Sequence, residues 1–169
     1  LLRQIGIEPA ACLSPDIDET PLPAELPRVY AQRMAVQKLL QAEGFVVAAD
    51  TVVAAGRRIL HKTASADEAE KYLRLLSGRR HKVYAAVAVR APDGRVAARV
   101  VASVVGFARL DEPQIRDYLA SGEWEGKAGG YAIQGRAATF IDFLSGSYSG
   151  VVGLPLHETA QLLRGLGYA

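Results

Sequence analysis

Two apolar runs, HKVYAAVAVRA (81–91) and RVAARVVASVVGFARL (95–110), stand on either side of Pro92-Asp93-Gly94. Both are rich in β-branched residues, and the Pro-Asp-Gly between them is a turn signal, so the segment predicts a long antiparallel hairpin. A sheet containing such a hairpin is not all-parallel, because parallel neighbours are joined by long crossovers rather than by a turn.

Helical and strand-like stretches alternate around the hairpin. Leu1–Gly6 reads as the end of a helix capped by Gly6, residues 7–13 as a short strand, and SPDIDETPLPAELP (14–27) as a proline-broken acidic loop. From Arg28 to Glu43, Val29, Met34, Ala35, Leu39 and Leu40 recur at helical spacing, and Gly44 is the stop signal. FVVAADTVVAAG follows as a β-rich run that turns at Gly56 into 57–60. Ser65 with Glu68 has capping-box spacing and opens a helix through Leu76. Asp111 with Gln114 repeats that spacing, with Pro113 in the first turn and Gly122 at the end. A strand near 139–144, a glycine-rich loop over 146–155 and a helix through Leu163 complete the pattern. The expectation is one α/β domain over 1–169, built on a mixed sheet with flanking helices.

Charge narrows the functional classes. The chain has 20 basic and 18 acidic residues, net +2, and no long run of one sign, so nothing demands a nucleic-acid or membrane surface. The single cysteine, Cys12, cannot form an internal disulfide; with no secretory leader and no apolar span of membrane length, a cytoplasmic setting is expected, with Cys12 packed among apolar neighbours. The P-loop, dinucleotide and nucleophile-elbow glycine signatures are absent.

Asp50 interrupts the apolar run FVVAADTVV, and Thr51 follows it. A carboxylate there costs several kcal/mol if buried unpaired, so it faces a cleft or a cation, or pairs with a structural arginine. The acidic loop supplies Asp16, Asp18 and Glu19, either as a solvated turn or as oxygen ligands for Mg²⁺. Lys38, Lys62 and Lys127 lie beside turn signals. Arg79, Arg80 and His81 form a small basic cluster, a candidate anion site. His61, His81 and His157 lack metal-ligand spacing and read as surface or polar packing. The stretch KAGGYAIQGR (127–136) is either a plain glycine-rich connection or a ligand loop. In the second reading its glycines let the backbone approach a ligand, Lys127 faces phosphate, Tyr131 packs beneath and Gln134 reads a base edge.

Taken in order, DIDET, Lys38, ADTVV, Lys62, LSGRRH, KAGGYAIQG and YSGVVGLPL resemble the Maf (septum formation inhibitor) family of nucleoside triphosphate pyrophosphatases, from about Leu1 to the last helix. The resemblance implies a Maf/ITPase-like fold, a twisted mixed β-sheet with two lobes around a cleft, and a homodimer. It also implies cleavage of the α–β phosphoanhydride of a nucleotide with a divalent metal, Mg²⁺ or Mn²⁺, brought in with the substrate. Carried onto this chain, Asp50 is the catalytic carboxylate, as base or as metal ligand, and Glu19 is the second acid and metal ligand. Lys38 and Lys62 are the cleft lysines, and Gln134 faces the base; Lys127, Thr51 and Arg80 complete the substrate-binding candidates. The IQG form resembles the branch acting on dTTP and UTP. A non-catalytic nucleotide-binding regulator of division is the alternative. Two positions depart from the family pattern: Thr63 replaces a usual proline and Gly150 a common asparagine. The family's amino-terminal strand and Ser-x-x-Arg-Arg phosphate loop are expected to be missing from this chain.

Overall fold

The computed structural model describes residues 1–39 and 43–168. Its centre is the predicted hairpin. Strand β3 (Arg80–Arg90) pairs antiparallel with β4 (Val96–Phe107) over the whole run from Arg80↔Gly106 to Arg90↔Val96. Gly94 takes φ +88° at the turn, a left-handed value that glycine adopts without a side-chain clash. Strand β1 (Val46–Ala55) lies on the other side of β3, β2 (Arg58–Leu60) folds back on the end of β1, and β5 (Ile141–Ser145) borders β4, giving the order β2-β1-β3-β4-β5.

The α/β class agrees with the sequence reading, but every strand pairing among the described residues is antiparallel, where a mixed sheet was expected. The chain does make a crossover, from β2 through α2 (Ala66–Leu76) to β3, and those two strands run in the same direction. They are not neighbours, because β1 sits between them and pairs antiparallel with both.

Strand alternation sends successive β3 side chains to opposite faces. Ala86 and Ala88 meet Tyr30, Ala31, Met34 and Ala35 of α1 (Pro27–Gln37) on one face. On the other face Val87 and Val89 pack with Leu162 and Leu163 of α5 (Leu156–Gly165). Nearer the β2 end, Val83, Val105 and Phe107 pack with Tyr72, Leu73 and Leu76 of α2 and with Ile115 and Tyr118 of α3 (Glu112–Ala120). The short α4 (Tyr148–Val152) stands at the end of that face, within the segment expected to be a loop.

Several local expectations change. Residues 1–6 form a single 3-10 turn ended by Gly6 at φ +77°. Residues 7–13 are irregular: a strand needs a neighbour for its backbone hydrogen bonds, and none pairs there among the described residues. Cys12 is exposed instead of packed. Helix α1 buries Met34 and Ala35 as expected but takes Tyr30 and Ala31 into the core and leaves Val29 exposed, and it ends at Gln37 with Lys38 as its cap. Leu40 and the rest of 40–42 lie outside the described residues.

Ser65 does occupy the N-cap of α2, but its side chain makes no cap bond. The Thr63 hydroxyl receives the Ser65 N–H at 3.0 Å and donates to the Ser65 carbonyl at 3.1 Å, while the Glu68 carboxylate accepts from Tyr72 at 2.8 Å. The Asp111–Gln114 capping box forms as expected. Residues 136–140 make a 3-10 turn before β5.

Candidate active site

Strand β2 covers only Val53–Ala55 of β1, so the preceding part of β1 has no partner on that side among the described residues. A cleft opens along this free edge. Because alternation places Asp50 on the α1 face and Thr51 on the other, an open edge lets both reach one space. Asp50, Thr51, Lys38, Lys62, Lys127 and Gln134 all line a hollow of about 240 Å³. A second hollow of similar size shares Asp50, Thr51 and Lys62 with it and extends to Glu19 and His61.

Lys38, carried at the end of α1, reaches back to the sheet. Its ammonium donates to Asp50 Oδ1 at 2.5 Å and lies 2.7 Å from Glu19 Oε1. Glu19 Oε2 is in turn 3.3 Å from Lys62 Nζ. The result is a chain of alternating charge, Asp50–Lys38–Glu19–Lys62, drawn from β1, α1, the acidic loop and the segment after β2. Asp50 is buried at 7 % exposure, and its pairing with Lys38 offsets a desolvation cost that an isolated carboxylate would not survive there.

Burial pushes the Lys38 ammonium down, but the bonds and charges of Asp50 and Glu19 outweigh it and leave its pKa above the ordinary lysine value. Partial burial likewise pushes the Glu19 carboxyl up, and Lys38 and Lys62 together hold it below the usual carboxylate range. Lys38 and Glu19 are therefore both charged at neutral pH.

Glu19 is placed by its own backbone. The Tyr30 hydroxyl donates to the Glu19 carbonyl at 2.6 Å, and Arg33, itself bound to Glu25, donates to the Thr20 carbonyl at 3.0 Å. Tyr30 was not singled out in the sequence; its only signal was an aromatic residue next to the expected helix stripe. Asp18 is exposed and caps its own turn through the Thr20 N–H at 2.8 Å, and Asp16 is exposed outside both hollows.

The loop KAGGYAIQGR forms the opposite wall. Lys62 and Ala128 make an antiparallel bridge, Gly129 N–H donates to the Leu60 carbonyl at 3.1 Å, and Gly126 N–H to that of Thr63 at 2.8 Å. Gly129 and Gly130 have φ +69° and +71°, and a Cβ on them would stand 2.8 Å from Val53 and 3.3 Å from Ala69. These glycines bring the loop close to β1 and α2, where close approach to a ligand was expected. Tyr131 packs beneath the loop as expected, with its hydroxyl 2.8 Å from His81 Nε2. Gln134 is exposed on the cleft wall and its side chain bonds to no described residue. Val151, Val152 and Gly153 also line this hollow; they belong to the YSGVVGLPL motif, to which no residue-level role was attached in the sequence.

Arg80 lies elsewhere. Its guanidinium sits 3.7 Å above the Phe143 ring of β5, and it lines neither hollow. Thr51 faces α4, its hydroxyl 3.5 Å from the Gly150 carbonyl.

For a divalent metal, the described residues contain no cluster of three or more His, Cys, Asp or Glu side chains. Asp50 and Glu19 do converge on one cation, the Lys38 ammonium. Two hard oxygen donors of this kind suit Mg²⁺ that arrives with most of its coordination filled by water and phosphate.

Known proteins are similar to this chain over nearly its full length. The profile of the family described as Maf-like protein matches residues 1–166. A dTTP/UTP pyrophosphatase of Maricaulis maris is 55 % identical, over 99 % of this chain and 83 % of its own length. Those of Granulibacter bethesdensis and Caulobacter vibrioides are each 54 % identical, over 99 % of this chain and 88 % and 90 % of their own lengths.

Proposed function

This chain belongs to the Maf-like protein family, and from that premise we propose that it is a nucleoside triphosphate pyrophosphatase acting on dTTP and UTP. The observation that carries the reading is the meeting, on one cleft edge, of a buried carboxylate, a second acid, three lysines and an unbonded amide. The relatives named above bear that activity in their names.

In the proposed reaction water attacks the α-phosphorus, the bond to the α–β bridging oxygen breaks, and the nucleoside monophosphate and pyrophosphate leave. Asp50 accepts the proton of the attacking water. Its Oδ1 is held by Lys38, so the carboxylate is fixed in orientation before substrate arrives. Lys62 and Lys127 face the phosphate oxygens, and Thr51 and Gln134 face the nucleoside. A divalent metal bound through Asp50 and Glu19 would supply further neutralisation of the phosphates.

Other parts of the reading rest on narrower support. A homodimer is favoured by the exposed apolar residues Leu22, Leu26, Val29 and Val36, which run along the outer side of α1 and the chain just before it. No helix of the described residues is long and apolar enough to cross a membrane. The proposed setting is the cytoplasm, where an exposed free thiol at Cys12 stays reduced.

The test is product analysis on dTTP, UTP, CTP, ATP, GTP and 7-methyl-GTP, with Mg²⁺ and with chelator. Pyrophosphate from dTTP and UTP ahead of the others, lost on chelation, is expected. Release of orthophosphate would refute α–β cleavage, and tight nucleotide binding without turnover would favour the regulator.

A further inference from the structure

His81 and Tyr131 form a buried polar pair that the reaction above leaves unused. His81 belongs to β3 and is 4 % exposed; Tyr131 belongs to the cleft loop and is 5 % exposed. Their side chains meet at 2.8 Å, and both rings stack edge-to-face on Phe107. Nδ1 of His81 has no hydrogen-bond partner among the described residues. The neutral imidazole and the phenol share one proton across this contact, and in either direction one buried donor, the His81 Nδ1–H or the Tyr131 O–H, has no acceptor among the described residues.

The pair has a position as well as a bond. Tyr131 lines the cleft and stands three residues before Gln134, whose amide faces the same space without a bond of its own. The next amide, Ala132 N–H, donates to the Tyr118 hydroxyl at 3.2 Å. After that, the bonds of this stretch are local or to the exposed rim, as in Gly135 N–H to the Ala132 carbonyl and Arg136 N–H to Glu123. Gln134 is therefore held from its amino-terminal side, by Tyr131, by Ala132 and by Ile133, which is buried in the same cluster as Tyr131.

We propose that His81 and Tyr131 are positioning residues for nucleobase selection, tethering the Gln134 loop to the central sheet strand. This rests on the nucleotide pyrophosphatase reading and adds to it two residues that touch no phosphate. Asp50 and Lys38 are carried by β1 and α1, outside the tethered loop.

The test uses Tyr131→Phe, which keeps the ring and removes only the hydroxyl, beside Val89→Ala. Val89 is buried against α5, away from the loop, and serves as a control for lost stability. Steady-state kinetics on dTTP, UTP and CTP and amide hydrogen exchange are measured for both. Loss of one neutral hydrogen bond corresponds to roughly 3- to 10-fold in an equilibrium. Tyr131→Phe is expected to raise KM for dTTP by about that factor, leave kcat within roughly 2-fold and narrow the dTTP-to-CTP ratio. It should also speed exchange at residues 132–135, while Val89→Ala does neither. Unchanged KM, ratio and exchange in Tyr131→Phe overturn the tether, as does the same kinetic pattern in Val89→Ala. If the parent protein turns over no nucleotide, the pyrophosphatase reading falls, and the exchange comparison alone still decides whether the tether exists.

Discussion

The Lys38 ammonium lies 2.5 Å from Asp50 Oδ1 in the closed interior of the cleft, where the two side chains are 13 % and 6 % exposed. The cap of α1 is thereby fastened to the middle of β1, and the charge that Asp50 needs is supplied before any substrate binds. A carboxylate in a valine-rich strand is tolerated on those terms alone.

Removing one member of such a pair leaves the other as a buried, uncompensated charge. Lys38→Met is expected to destabilise the fold by about 3–5 kcal/mol in urea unfolding. Lys38→Met with Asp50→Asn should cost less than the sum of the two single changes, because the orphan charge is gone. Additive losses would mean that the pair contributes little. In pyrophosphate release, Asp50→Asn should lower turnover by ~10²–10⁴-fold while nucleotide affinity survives; retention of most of the rate would remove Asp50 from the base role.

His81 gives a pH signature. Burial pushes its imidazole down to about 4 from an ordinary 6.5. The unfolded chain therefore takes up this proton first as the pH falls, so the neutral ring contributes stability above about 6.5 that is lost progressively toward 4. The loss reaches about 3 kcal/mol by the lower end of that window. His81→Gln should flatten the dependence of the urea midpoint between those limits. Glu19, Glu25, Glu68 and Glu112, all held below the ordinary carboxylate value of 4.5, begin to act only at the lower end of this range, so the upper part of the slope is the part that reports His81. An equal slope in parent and variant would assign the effect to other groups.

The loop glycines divide by what surrounds them. Gly126 and Gly129 have nearly the same left-handed φ, +66° and +69°, but a Cβ at Gly126 meets nothing within 4 Å and one at Gly129 meets Val53 at 2.8 Å. Gly126→Ala should cost ~1–2 kcal/mol from backbone strain alone. Gly129→Ala should cost more, about 1–3 kcal/mol of overpacking in addition, and should pull the loop from β1. Thermal unfolding of the two variants separates these terms, and equal losses would show that the contact with Val53 relaxes freely.

The sequence displayed the central hairpin, the alternation of helix and strand, the second capping box and the residues Asp50, Glu19, Lys38, Lys62, Lys127 and Gln134 of the cleft. The hairpin, the alternation and the capping box are local signals, each carried by a few neighbouring residues, whereas the cleft residues took their roles from the order of motifs along the whole chain. What it hid depends on distant pairing. The direction of β3 relative to β1 is set by which strand lies between β2 and β3, and no periodicity reports that order. Tyr30, Val151 and Val152 became part of the site through packing across the sheet edge. Arg80 stood with Arg79 and His81 in a basic cluster after Gly78, yet strand alternation turned it to the Phe143 side, opposite to buried His81. Gly129 and Gly130 looked like ligand-facing glycines because a positive φ and close approach read the same whether the neighbour is a phosphate or a valine.

Gln134 carries the last prediction. Its side chain is exposed in the hollow that Val151 and Val152 also line, and bonds to no described residue, so its amide is available to a ligand. A carboxamide donates through its NH₂ and accepts through its oxygen, which matches O4 and N3–H of uracil or thymine with two hydrogen bonds. A purine in a space of pyrimidine size would not reproduce that pair. Cytosine presents the reverse order of donor and acceptor, and an amide that turns over accommodates it, so discrimination against CTP should be modest. Loss of the amide should cost about 1–3 kcal/mol on the preferred bases, because their polar edges are then left unpaired in the cleft. Gln134→Ala is accordingly expected to lower kcat/KM for dTTP and UTP by roughly 5- to 150-fold, and for purine nucleotides by much less, flattening the profile. The side chain contributes no packing in the free protein, so Tm should stay within a degree or two of the parent, roughly the range of a neutral surface change. An equal loss on every nucleotide, or a large fall in Tm, would make Gln134 a structural residue of the loop and remove it from base recognition.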